Sequence, residues 1–115
     1  MFFIPSITNA TLSQVMPGNV GAAESLTINN TAGGVGFTST YTRDGYIYAE
    51  RAIVGPIEGG QIRYTLDGST APTTTVGSLL EIGDVLIIEG ASNIQNFKAI
   101  RTGSTSGTAF VEYER

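Results

Sequence analysis

Residues 62–68 read Ile62-Arg63-Tyr64-Thr65-Leu66-Asp67-Gly68. The first five of them alternate large apolar with polar side chains. Successive side chains of a β-strand point to opposite faces, so this alternation predicts a half-buried strand. Asp67 and Gly68 follow directly and predict a turn, because Asp bonds its own backbone and Gly adopts positive φ. A short strand that ends in a tight turn is typical of an all-β domain.

The rest of the chain repeats this pattern of short apolar runs separated by turn signals. The runs are rich in Val, Ile, Thr, Tyr and Phe, whereas the helical i, i+3, i+4 pattern is absent. Near-regular spacing of the turn signals predicts an all-β, single-domain β-sandwich. Residues 1–23 are weakly patterned and predict an N-terminal arm or first strand, which leaves residues 24–115 for the sandwich domain. Strands are predicted at residues 24–29, 36–43, 46–54, 61–66, 84–89, 95–101 and 107–114.

A hairpin predicted over residues 38–51 carries the first candidate contact surface. Asp44-Gly45 is a preferred type I′ turn pair, and a two-residue turn fixes the register of the flanking strands. Three tyrosines and one arginine then share one side of the hairpin in facing pairs. This side is either the inner face of the sandwich or an aromatic contact patch for a neighbouring subunit or a sugar ring. Its residues are Tyr41, Arg43, Tyr46 and Tyr48.

Two strands near the end of the chain differ in the composition of their faces. Residues 85–88 are apolar on both faces, which predicts either a central strand or a strand covered by a partner. The last strand alternates apolar side chains with Glu112 and Glu114 and is followed by Arg115. Charges on a terminal strand would discourage accidental pairing at a sheet edge.

The composition excludes most familiar enzyme chemistries. The 115 residues include no Cys, His or Trp, which excludes disulfides, thiolate and imidazole metal sites, and Ser-His-Asp triads. The formal net charge of −4 disfavours binding to nucleic-acid phosphates. The pairs Asp84 with Glu89 and Asp67 with Glu81 are a weak glycosidase signal, because a domain this small offers little room for a deep cleft. We expect no enzyme activity, no cofactor and no metal.

Charged residues are scarce and unevenly placed. They make up 14% of the chain, against about 25% in an average soluble protein. Glu24 is the only acidic or basic residue among residues 1–42. A surface this poor in charge is either neutral and polar or covered by other subunits, and we favour the second. Residues 1–5 are apolar without a basic residue, so they are expected to be neither a signal peptide nor a membrane span.

Two glycine-containing segments are better explained as turns than as ligand sites. Residues 67–73 offer a single local carboxylate, which is too few for calcium, whereas each of these residues suits a turn. Residues 33–36 contain three glycines but lack the following Lys-Ser/Thr pair and helix of a phosphate-binding loop. We therefore expect a structural turn at the first segment and a flexible loop at the second.

Residues 62–73, which end in Asp67-Gly68-Ser69-Thr70-Ala71-Pro72-Thr73, resemble a strand-and-turn motif of other proteins. The motif, YTLDGSTPT, occurs in the immunoglobulin-like domains found beside chitobiase-type glycosidases. Ala71 interrupts it in this chain. The resemblance implies an immunoglobulin-like β-sandwich and bears on the fold more than on the activity.

A wider resemblance spans residues 61–115. It is carried by residues 62–68, 77–84, 88–90 and 93–101. In these segments the chain is similar to small proteins encoded in the structural modules of tailed bacteriophages. Those proteins are commonly head decoration proteins or other minor virion proteins with a compact β fold. The resemblance implies a virion structural protein and includes no catalytic signature.

Composition and resemblance together predict a non-enzymatic virion structural protein, with a capsid decoration or cement subunit as the favoured role. Such a subunit stabilises a shell by burying neutral and aromatic surface against its neighbours. We expect it on the surface of the phage particle after assembly in the host cytoplasm. Its expected partners are the major capsid protein, other virion subunits and further copies of itself, but neither nucleic acid nor a membrane. The candidate contact residues are Phe2, Phe3, Ile4, Val15, Tyr41, Arg43, Tyr46 and Tyr48.

Two alternative functions stay open. The first is a tail or neck component, which differs from a decoration subunit in its position and copy number on the particle. The second is an immunoglobulin-like carbohydrate-binding or adhesive module, in which tyrosines stack on the rings of a surface glycan. Binding of a polysaccharide by the isolated monomer would favour this second alternative.

Overall fold

The computed structural model describes residues 20–38 and 49–114, which form seven β-strands and one short α-helix. The strands build two antiparallel sheets, with the order β1-β7-β2-β5 in the first and β4-β3-β6 in the second. The predicted all-β sandwich is therefore confirmed. The elements are β1 (Val20–Ile28), β2 (Arg51–Val54), β3 (Ile62–Thr65), β4 (Ser78–Leu80), β5 (Leu86–Glu89), α1 (Ala91–Asn96), β6 (Lys98–Arg101) and β7 (Gly107–Glu114).

Buried side chains from both sheets meet in one hydrophobic core. The alternation in the sequence produces this core, because every second residue of a strand points inward. In β7, for example, Ala109, Val111 and Tyr113 are buried, whereas Phe110 points outward. The buried apolar residues are Leu26, Ile28, Ala49, Ala52, Val54, Ile57, Ile62, Leu80, Ile88, Ile94, Phe97, Ala99, Ile100, Ala109, Val111 and Tyr113.

Four aromatic side chains join the two sheets across the core. The ring of Phe97, just before β6, stacks on the ring of Phe37 with their centroids 4.3 Å apart. Phe97 also stacks with Tyr64 of β3 at 6.0 Å. Phe37 in turn meets Tyr113 of β7 edge to face at 5.6 Å. Each such pair contributes about 0.5–1.5 kcal/mol beyond its buried area, so these contacts hold one sheet against the other.

The segment that follows β1 is fixed to both sheets by hydrogen bonds. Val35 exchanges two backbone hydrogen bonds with Ala99 of β6, at 2.7 and 3.0 Å. Thr38 donates to the Glu24 carboxylate through its backbone N–H and its hydroxyl, and the buried Tyr113 hydroxyl donates to the same carboxylate. Glu24, the only acidic or basic residue of the first 42, therefore ties this segment to β1 and β7.

Several predicted element boundaries were wrong. β1 begins at Val20 rather than at residue 24. Residues 36–38 of the predicted strand 36–43 are not in a strand, and residues 49–50 of the strand 46–54 precede β2. Residues 95–96 of the strand 95–101 belong to a helix. Residues 39–48 lie outside the described part of the chain, and the predicted hairpin turn lies there with them.

Two short elements were missed by the sequence prediction. β4 has three residues and pairs with β3, and a run this short shows no reliable alternation. Helix α1 has six residues, of which only Ile94 is buried, and no side chain caps its start. A single apolar contact gives no helical period in the sequence, so tertiary packing rather than a local signal specifies α1.

The positions of β5 and β7 also differ from the expectation. Among the described strands, β5 lies at the edge of its sheet, so the alternative of a central strand is wrong, whereas the alternative of a strand covered by a partner stays a prediction. β7 instead lies between β1 and β2, and its Glu114 is buried with 1% of its surface exposed. Glu112 and Glu114 therefore do not protect an edge. The order of strands along the chain does not determine their order in the sheet, which explains the error.

No helix among the described residues is long and apolar enough to cross a membrane.

Gly107 marks the closest approach of β7 to the chain before β3. A Cβ at this position would lie 2.6 Å from Ile62 Cγ2 and 2.7 Å from the Gly60 carbonyl oxygen. We expect Gly107→Ala to destabilise the protein by about 1–3 kcal/mol, the usual cost of overpacking. Gly103→Ala is the matched control, because nothing lies within 4 Å of its Cβ. Urea unfolding measures both, and equal stabilities of the two variants would contradict the packing argument.

Candidate interaction surface

The contact residues predicted from the sequence fall outside the described part of the chain. This holds for the four N-terminal residues and for the tyrosine face of the predicted hairpin. Their roles therefore stay predictions. The residues concerned are Phe2, Phe3, Ile4, Val15, Tyr41, Arg43, Tyr46 and Tyr48.

The outer face of the four-stranded sheet carries an apolar surface that the sequence prediction did not identify. Phe110, Ile87 and Val85 are exposed by 51%, 49% and 52%, respectively, and Ile53 is half-buried beside them. Isolated exposed apolar residues are ordinary on a protein surface, whereas a contiguous set marks an interaction site. We call this set of four residues the outer patch.

The strand register shows that the outer patch is contiguous. Ile53 of β2 lies opposite Glu112 of β7 on one side and opposite Ile87 of β5 on the other. In the next row, Gly55 donates its N–H to the carbonyl oxygen of Phe110 at 3.0 Å. A Cβ on Gly55 would lie 3.3 Å from the Cα of Val85. Phe110 and Val85 thus flank a residue without a side chain, and the four apolar residues occupy two neighbouring rows.

A row of ion pairs borders the outer patch at one end. Arg51 lies opposite Glu89 and Glu114 in the register of the sheet, and its guanidinium lies 3.4 and 3.6 Å from their carboxylates. Glu89 is largely exposed, whereas the Glu114 carboxylate is buried and makes no hydrogen bond with the described residues. The row therefore gives this end of the patch a polar boundary, of which Arg51 and Glu89 are the accessible members.

The Asp67 turn has the structure that its sequence predicts. Asp67 Oδ1 accepts hydrogen bonds from the backbone N–H groups of Ser69 and Thr70, at 3.1 and 2.9 Å. Its Oδ2 accepts from the Thr70 hydroxyl at 2.7 Å, and Gly68 adopts a φ of 78°. The hydrogen bonds from Thr70 and then Ser69 stabilise the ionised form and lower the pKa of Asp67 to about 2.

Three of the four carboxylates considered as glycosidase pairs make structural contacts. Asp84 Oδ2 accepts a hydrogen bond from the backbone N–H of Glu81 at 2.8 Å, Glu89 pairs with Arg51, and Asp67 holds its own turn. Within residues 20–38 and 49–114, no three acidic side chains lie close enough to hold a metal ion.

Two open depressions flank the Asp67 turn. One is lined by residues of the turn, by Gln95 and Asn96 of α1, and by Lys98. The other is a wide groove between β3, the start of β4 and α1, which we call the Tyr64 groove. It is lined by Tyr64, Thr65, Leu66, Asp67, Thr70, Val76, Gly77, Ser78 and Asn93.

Sequence reasoning missed both the outer patch and the Tyr64 groove, for different reasons. Phe110 lies between the buried Ala109 and Val111 and therefore points to the outer face of β7. A large aromatic residue at an outward position was a usable signal of an exposed apolar surface. Ile87 belongs to a run that is apolar on both faces, which does not show which face a neighbour covers. Asn93 reaches the groove from a helix that has no signal in the sequence.

The lowered pKa of Asp67 makes a testable contribution to stability. A carboxyl group whose pKa is lower in the folded state stabilises the fold above its unfolded pKa, which is about 3.9. This contribution is lost as the pH falls through the folded pKa of about 2. We expect Asp67→Ala to lower the Tm at neutral pH, and the difference from wild type to shrink between about pH 5 and pH 2. A Tm difference that is constant over this range would contradict the assignment.

Comparison with known proteins gives no relative from which a function can be transferred. No family model, no curated protein and no solved structure matches the chain. The function is therefore inferred from the chain's own residues. The outer patch and the Tyr64 groove are the two surfaces of the described residues on which we base that inference.

Proposed function

We propose that the protein is a non-enzymatic structural subunit of a virus particle that binds other virion subunits through neutral and apolar surface. The favoured role is a capsid decoration or cement subunit. The observation that supports it most is the outer patch, in which Phe110, Ile87, Val85 and Ile53 form one apolar surface across three strands. The resemblance of residues 61–115 to small phage virion proteins supports the assignment to a virus particle.

The energetics of the outer patch suit repeated contacts on a shell. Burying the exposed half of a large apolar side chain contributes about 1 kcal/mol, so a patch of this size gives a modest affinity to one subunit. On a symmetric particle the same contact recurs at every equivalent position, and linked contacts strengthen one another. A subunit that has few charges and one apolar face can therefore be retained through many weak contacts.

The charged row beside the outer patch would orient the subunit. Protein interfaces commonly have an apolar centre and a polar rim, and Arg51 with its two glutamates lies at the boundary of the patch. Charges at a rim contribute to specificity and association rate more than to affinity. Glu89 is the exposed carboxylate of this row, so a partner surface with a positive group beside Glu89 would fit best.

The proposed partners are the major capsid protein, other virion subunits and further copies of this chain. Assembly would take place in the host cytoplasm, and the mature location would be the particle surface. A tail or neck position is the alternative, and imaging of purified particles separates the two. Many labelled copies spread over the shell support the decoration role, whereas a few copies at one vertex support the alternative.

The outer patch gives the first test of this function. We expect Phe110→Arg and Ile87→Arg each to weaken binding to particles that lack the protein by at least about tenfold, as for residues at the centre of an interface. Both side chains are about half exposed, so the free energy of unfolding should change by less than about 1 kcal/mol. Co-sedimentation with purified particles measures the binding.

The matched control for these variants is Val76→Arg. Val76 is an exposed apolar residue with 43% of its surface accessible, and it lies in the loop before β4 of the other sheet. The control adds the same charge and should leave co-sedimentation unchanged. Binding that survives both outer-patch substitutions, or that all three substitutions weaken equally, would contradict the proposed surface.

The contact residues predicted from the sequence are tested separately. If residues 1–10 and the tyrosine face of the hairpin contact the shell, deletion of residues 1–10 and Tyr48→Ala each reduce incorporation into particles. Each change removes apolar or aromatic area from the proposed contact with the shell. Incorporation is measured as the number of copies per purified particle. Unchanged copy numbers for both variants would remove these residues from the contact surface.

A further inference from the structure

The Tyr64 groove combines an apolar floor with a polar rim. Its floor contains Tyr64 and Leu66 of β3 and the chain that follows it, together with the exposed Val76. The rim is formed by the Asp67 turn on one side and by Asn93 of α1 on the other. Binding sites for small organic groups usually have this composition, with apolar walls and a few polar groups that set the orientation of the ligand.

The ring of Tyr64 is held in place by the core while it lines the groove. It stacks with the fully buried Phe97, with ring centroids 6.0 Å apart and the rings inclined by 23°. Tyr64 is half-buried, so part of its side chain remains accessible. A rigid aromatic ring of this kind loses little entropy when a ligand packs on it.

The polar rim is also held in place by hydrogen bonds. The Asn93 side chain donates from Nδ2 to the Glu89 carbonyl oxygen at 3.0 Å, which fixes the amide and leaves Oδ1 as an acceptor. The Thr70 hydroxyl donates to Asp67 at 2.7 Å, so its oxygen retains a lone pair for a ligand donor. The Asp67 carboxylate already accepts hydrogen bonds from the backbone of its own turn. It therefore shapes the rim more than it binds a ligand.

The charges around the groove disfavour anionic ligands. Asp67 is the only acidic or basic residue in the lining. Its lowered pKa keeps the carboxylate negative at neutral pH. Arg63 directs its guanidinium to the carbonyl oxygens of Thr74 and Gly77, at 3.2 and 2.8 Å. Lys98 lines the separate depression on the far side of the turn. A neutral ligand is therefore favoured.

We infer that the Tyr64 groove binds a segment of a neutral glycan chain. A pyranose ring presents apolar C–H groups on its face, which match an aromatic floor, and hydroxyl groups around its edge, which match amide and hydroxyl side chains at the rim. The groove is wide and open, so it suits a polymer that continues beyond the site better than an enclosed small molecule. This inference is independent of the proposed role in the virion.

Titration of the isotopically labelled full chain tests the inference. Cellohexaose, maltohexaose and chitohexaose are neutral probes, and hexagalacturonate is an anionic probe of similar size. We expect at least one neutral probe to bind with a Kd below about 1 mM and to shift the NMR signals of the Asn93 side-chain amide, the Thr70 amide and the Val76 methyl groups. We expect hexagalacturonate to bind at least about tenfold more weakly, because Asp67 repels it.

Substitutions within the groove give the second part of the test. We expect Asn93→Ala to weaken binding of the neutral probe about fivefold to tenfold through loss of one hydrogen bond. Ser92→Ala, on the same helix but outside the lining, is its control and should leave the Kd unchanged. We expect Val76→Arg to abolish binding by filling the groove, with an unchanged Tm because the side chain is exposed.

Four outcomes would overturn the inference. They are no signal shift with any neutral probe at about 10 mM, equal or tighter binding of hexagalacturonate, shifts confined to residues outside the lining, and an unchanged Kd for both Asn93→Ala and Val76→Arg. Phe110→Arg separates this site from the outer patch, because it should leave glycan binding intact. Failure of the glycan test leaves the particle-binding test unaffected, and the reverse also holds.

Discussion

The stacking of Phe97 against Phe37 and Tyr64 is the interaction on which the rest of the structure depends. Phe97 is fully buried and leads into β6 of the smaller sheet, whereas Phe37 contacts Tyr113 in the larger sheet. The chain has no disulfide and few charges, so packing of this kind supplies the cohesion between the layers. The same contact fixes the floor of the Tyr64 groove, because Tyr64 rests on Phe97.

The sequence predicted the parts of the fold that depend on alternation. The alternation of apolar and polar residues in β3 and β7 was visible in the sequence. The Asp67 turn was predicted from side-chain chemistry alone. The missed parts depend on tertiary contacts: β4 is specified by pairing with β3, and α1 by burial of Ile94. The outer patch was hidden for a related reason, since alternation shows that a strand has two faces but not which neighbours stand beside it. Tyr64 was recognised as a strand residue, but its role in a groove required the position of α1.

The two candidate surfaces belong to different sheets and have different chemistry. The outer patch is apolar with a charged boundary, which favours a protein partner. The Tyr64 groove has one aromatic floor residue and a neutral polar rim, which favours a hydroxyl-rich ligand. A subunit attached to a shell through the larger sheet would leave the groove accessible. Attachment to a particle and binding of a glycan are thus compatible in one small domain.

Gly55 keeps the outer patch continuous. It stands between Phe110 and Val85, and any larger residue there would collide with the Asp84 carbonyl oxygen, 2.8 Å from its Cβ position. The backbone of residues 84 and 85 occupies the space that a side chain of residue 55 would need, and Gly55 also has a φ of 120°, which favours glycine. Glycine therefore lets the segment before β5 pack directly against the end of β2. A larger residue would push this segment outward and separate Val85 from Phe110, so the continuity of the apolar surface depends on a position that contributes no side chain to it.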